Sequence, residues 1–87
     1  MQFPLKVTTE TGSVYKINES GVCVKTDKDG RGIDAFKPFC IKPIPDGVLT
    51  MGEVFDLPEG DPVVGQRMYI SGLNTWWVTT PVVSVEP

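Results

Sequence analysis

The 87 residues carry a net charge of −3, with 40% hydrophobic and 22% charged residues, two cysteines and no histidine. That balance is ordinary for one globular domain spanning residues 1–87 and unlike a disordered or low-complexity chain; a chain of this length buries about 60–65% of its unfolded surface, so one small core is expected. The missing histidine removes the commonest general base and metal ligand, and the net negative charge argues against duplex DNA as a partner.

Short β-prone runs separated by turn residues recur along the chain. "PLKVTTE" passes through Thr11-Gly12 into "SVYKI", where Val14 and Lys16 alternate with Tyr15 and Ile17, a first hairpin. "VCVKT" follows Ser20-Gly21 as a third strand and ends in the turn cluster "DKDGRG". A short helix has room only near residues 32–36. Residues 36–44 contain Pro38 and Pro43, which demotes them to an edge strand or an extended crossing segment.

The middle, "PIPDGVLTMGEVFDLPEGDP", is punctuated by proline and glycine and leaves room for two short strands, 48–51 and 53–57. "QRMYI" and "TWWVTT" are joined by Ser71-Gly72-Leu73-Asn74, the best hairpin signal in the chain. Pro81 breaks the second of these, so that "VVSV" can turn and pair elsewhere. Seven to eight short strands imply an all-β domain, a small partly open barrel or a compact sandwich.

No motif points to catalysis, and the chain is expected not to be an enzyme and to need no cofactor. The loop "DKDGRGID" spaces Asp27, Asp29 and Asp34 in the manner of a calcium loop, but Pro38 occupies the twelfth position, where a bidentate acid belongs. A hairpin tip with its glycines at positive φ is expected instead, and no metal site. Cys23 and Cys40 are read as small buried hydrophobes, with a bridge or a reactive thiol as alternatives.

Charge is unevenly spread. Residues 1–45 hold seven bases and five acids, whereas 46–61 hold Asp46, Glu53, Asp56, Glu59 and Asp61 and no base. This acidic segment suits a mimic of nucleic-acid phosphates or a solvated loop, and Val54, Phe55 and Leu57 within it look like core or interface anchors.

Trp76 and Trp77 are adjacent, so on a strand they point to opposite faces. Either can face the core. The other then stands on the outer face among threonines, beside Tyr69 and near Arg67, as a platform for a stacked base or a protein anchor, unless the proline-rich middle folds over it. In a nucleotide-binding version Trp76 or Trp77 stacks on a base while Arg67, Arg31, Lys37 and Lys42 meet phosphates. In a protein-binding version the aromatic face and the acidic stretch around Phe55 dock on the partner.

"TGSVY" at Thr11–Tyr15, with Gly65 and the ending Thr80, Pro81, Val82 and Val83, resembles small all-β accessory proteins of unassigned function encoded by actinobacterial phages. The resemblance implies a phage origin and a binding role in the host cytoplasm: an anti-defence factor that sequesters a cyclic or dinucleotide signal or blocks a host effector protein. The competing expectation is a virion or assembly component acting through subunit interfaces. Homo-oligomerisation is expected from the small core and surplus aromatic area. No apolar window is long enough for a membrane span, and "MQFPLKVTTE" lacks signal-peptide organisation, so no membrane partner is expected.

Overall fold

Alternation decides the first sheet. In β1 (Leu5–Thr9), β2 (Val14–Ile17) and β3 (Cys23–Thr26), the residues Val7, Thr9, Tyr15, Ile17, Cys23 and Lys25 are buried while Lys6 and Lys16 are exposed, the period of two that a half-buried strand imposes. The computed structural model describes residues 4–19, 22–36, 40–73 and 75–87, and for 33–36 the backbone only. β4 (Gly32–Phe36) pairs with β3, so residues 32–36 form a strand and not the short helix the sequence allowed. The reason lies in the preceding turn: Asp27 accepts hydrogen bonds at Oδ1 from the N–H groups of Asp29 and Arg31, and Gly30 sits at φ 84°, which folds the chain back onto β3.

The same logic closes the first hairpin. Gly12 has φ 87° and donates its N–H to the Thr9 carbonyl, and a Cβ there would stand 3.1 Å from Cβ of Lys28. Both the backbone angle and the close approach call for glycine.

β5 (Cys40–Ile44), β6 (Arg67–Ser71) and β7 (Trp76–Val78) form a second antiparallel sheet in the order β5-β6-β7. β8 (Val82–Glu86) leaves it after Pro81 and pairs with β1, completing a first sheet of order β4-β3-β2-β1-β8. Among the described residues eight strands therefore form a sandwich of two separate ladders, and the barrel alternative is not taken. Val7, Tyr15, Ile17, Cys23 and Val82 from one sheet meet Ile41, Met68 and Ile70 from the other in the main core.

Pro43 shows why β5 is an edge strand. It stands opposite Met68, whose N–H and carbonyl are both engaged by Thr79 on the far side of β6. The missing N–H of Pro43 thus falls on the open edge, where it costs no ladder bond. Gly60 closes over that edge by donating its N–H to the Ile41 carbonyl.

The middle segment corrects the sequence expectation. In place of strands at 48–51 and 53–57, one short helix, α1 (Met51–Phe55), is present. Thr50 caps it: its Oγ1 accepts from the Glu53 N–H at 3.2 Å and donates to Glu53 Oε1 at 3.2 Å. This Thr-x-x-Glu exchange is a helix-start signal that the strand reading passed over. Five residues are too few to hold a helix in water, where about 12–15 are needed, so packing holds it. Val54 is buried with Ile44 and Tyr69 in a second, smaller core, against which Met51, Leu57 and Val78 also pack. α1 therefore lies on the outer face of the second sheet. Among the described residues no helix is long and apolar enough to cross a membrane.

Candidate functional site

The register of the second sheet sorts its aromatic residues. Tyr69 stands opposite Val78 and Ser71 opposite Trp76, so Tyr69 and Trp76 share the outer face, while Trp77, opposite the fully buried Ile70, points toward the first sheet. Neither indole fills the core: Trp76 is 51% exposed and Trp77 46%. This departs from the expectation that one would be internal. β7 is a three-residue edge strand, so its side chains reach the rim of the sandwich on both faces.

Three rings gather on the outer face. Tyr69 stacks on Trp76 with centroids 6.3 Å apart and planes at 27°, and Phe55 meets each of them edge-on at 5.9 Å and 86°. Offset and edge-to-face contacts of this kind add about 0.5–1.5 kcal/mol per pair beyond area burial. Tyr69 is buried beneath, whereas Phe55 is 48% exposed, so Phe55 and Trp76 form the outward-facing pair. The proline-rich middle thus reaches Trp76 without covering it.

Lys42 completes this group. Its Nζ donates to the Phe55 carbonyl at 2.6 Å and lies 5.8 Å from the Tyr69 ring centroid. A cation there satisfies one of the carbonyls left unpaired at a helix C-terminus. All five acids of residues 46–61 are exposed, and two of them, Glu53 and Asp56, are adjacent to Phe55 in α1 and its cap.

The remaining sequence candidates lie elsewhere. Arg67 is exposed at the start of β6 and lines a hollow with Val48 and Leu49 rather than meeting the rings. Arg31 is exposed at the β3–β4 turn of the other sheet. Lys37 lies outside the described residues. The structure therefore joins Trp76, Tyr69, Phe55 and Lys42 and leaves Trp77, Arg67 and Arg31 apart.

Trp77 has a partner that sequence reading missed. Lys25 is 6% exposed, and its Nζ sits 3.7 Å from the Trp77 ring centroid and 5.9 Å from that of Tyr15. The signal was present in "VCVKT": alternation places Lys25 on the same face as Cys23, which is fully buried.

The cysteines form no bridge. Burial pushes the Cys23 thiol up to about 12, so it is inert at neutral pH. Cys40 is half-buried, and its thiol is also raised, chiefly by desolvation and then by the neighbouring Glu59, against smaller opposing effects of Ser71 and Lys42. Among the described residues no group of three or more acids and cysteines is placed to hold a metal. No protein-family model, curated protein or solved structure matches the chain.

Proposed function

We propose that the protein works by stoichiometric binding, without catalysis, and that its outward Phe55–Trp76 pair docks on another protein. The observation that carries this reading is the exposure of two edge-to-face aromatic rings, Trp76 on a sheet edge and Phe55 on a capped helix turn, the latter within the segment that holds five acids and no base. Aromatic anchors supply most of the energy of small interfaces, and the surrounding charge selects the partner. The partner is accordingly a protein surface with an apolar pocket rimmed by lysine or arginine. In the phage setting that the terminal motifs resemble, this is an anti-defence factor that blocks a host effector.

The geometry favours this over nucleotide sequestration. A base-stacking platform needs a free ring face with cations beside it. Here one face of Trp76 is taken by Tyr69, Lys42 is engaged by the Phe55 carbonyl, and Arg67 and Arg31 lie apart from the rings.

The test is native mass spectrometry of the protein purified gently from a host with active defence systems. The expected species is a complex with one host protein, lost in Phe55→Ala and Trp76→Ala and retained in Arg31→Glu. Loss of a central anchor costs about 2 kcal/mol or more, roughly thirtyfold in Kd. A bound mass of nucleotide size would overturn the reading in favour of sequestration. A bare homo-oligomer would point to a virion or assembly role.

A further inference from the structure

We propose that the outer face of the first sheet holds a second, separate site, for a small organic anion with an apolar body. A hollow of about 530 Å³, within the roughly 300–1,000 Å³ of small-molecule sites, opens there and reaches the inward-facing Leu5 and Ile17 where β1 begins and β2 ends. Pro4, Leu5, Val24 and Pro87 contribute apolar lining, and Lys6 and Lys16 contribute charge.

The register makes the charge informative. Lys6 and Lys16 are directly opposite one another on β1 and β2, and both are exposed. Like charges in directly opposed positions repel at short range. Lys6 has Glu86 opposite it on its other side, but Lys16 has Val24, so the sheet provides Lys16 with no cross-strand acid. A carboxylate, sulfonate or phosphate ester placed between the two ammonium groups takes charge-assisted hydrogen bonds from both and removes their repulsion. Its apolar body then covers Leu5, Val24 and the flanking prolines. Neither a bare anion nor a neutral apolar molecule satisfies both halves of the hollow. This face belongs to the other sheet from Phe55 and Trp76, so the two sites are independent.

The experiment is an amide NMR titration of the full chain with decanoate, decanol and inorganic phosphate in parallel. Decanoate is expected to shift Leu5, Lys6, Lys16 and Val24 saturably while the two indole resonances stay in place. Decanol and phosphate should each bind about tenfold more weakly or worse. Lys16→Glu should weaken decanoate by about tenfold with the spectrum still dispersed, and Lys16→Arg should retain binding. Absence of decanoate shifts, equal affinity for decanol, shifts centred on Trp76, or unchanged binding in Lys16→Glu would each overturn the proposal. None of these outcomes bears on the docking role of Phe55 and Trp76, which is read from a host complex.

Discussion

Burying the ammonium of Lys25 is costly unless something replaces its water. The Trp77 ring at 3.7 Å does part of this, and because Lys25 belongs to the first sheet and Trp77 to the second, the contact also ties the two together. Trp77→Ala is therefore expected to cost about 2 kcal/mol beyond the loss of apolar area. In a Lys25→Met background, which lacks the cation, the same truncation should cost at least about 1 kcal/mol less. A double-mutant cycle by urea unfolding measures this; additive effects would show that the contact is incidental. Cys23 makes a second prediction at this scale. Its thiol titrates near 12 when folded against an ordinary 9.0, so between those values the folded state holds a proton that the unfolded state releases. Its contribution is full below pH 9 and is lost as pH rises toward 12, at up to about 1.4 kcal/mol per unit. Unfolding curves across that window should fall more steeply for the wild type than for Cys23→Ala; equal slopes would contradict the buried thiol.

At the level of the element, α1 exists because of its cap and one buried side chain. Thr50→Ala removes the acceptor for the Glu53 N–H and is expected to cost about 1 kcal/mol, with Thr50→Ser close to neutral. Amide exchange should quicken most at Val54 and Phe55, since the helix can open without disturbing the main core. Uniform quickening across both sheets would mean that α1 and the core unfold together. This element also shows what local pattern conveys. Thr50-Met51-Gly52-Glu53 spells the helix start, but Val48, Val54, Phe55 and Leu57 suit a strand equally well by composition, and the choice was made by the apolar hollow over Ile44 and Tyr69 that Val54 fills.

Across the whole molecule, the first and last strands meet. β1 and β8 pair along the first sheet, with a register shift between Thr8 and Thr9 that brings Thr9 opposite Val82. The irregularity leaves Val82 1% exposed and Val83 49% exposed. The radius of gyration, 11.9 Å, matches the roughly 12 Å expected of a compact chain of this length. Stability in so small a domain is marginal, of the order of 5–15 kcal/mol at most. Val82→Asp, which puts a charge in the main core, is expected to unfold the protein, whereas Val83→Asp should leave the melting temperature nearly unchanged. Circular dichroism melts distinguish them; similar behaviour of the two would remove the assigned inward and outward facing of β8.

The sequence by itself determined the all-β class, the first and last hairpins, the break at Pro81 and the restriction of the Pro43 segment to an edge strand or a crossing, because turn chemistry and a period of two are properties of neighbouring residues. The tertiary structure alone decided that the strands form two ladders, that Trp76 stacks on Tyr69 under Phe55, and that Trp77 lies beside Lys25. Those contacts join residues from distant parts of the chain. Alternation states that two adjacent tryptophans face opposite ways, but which way, and against what, follows from the position of β7 at the edge of its sheet and from the helix packed over it.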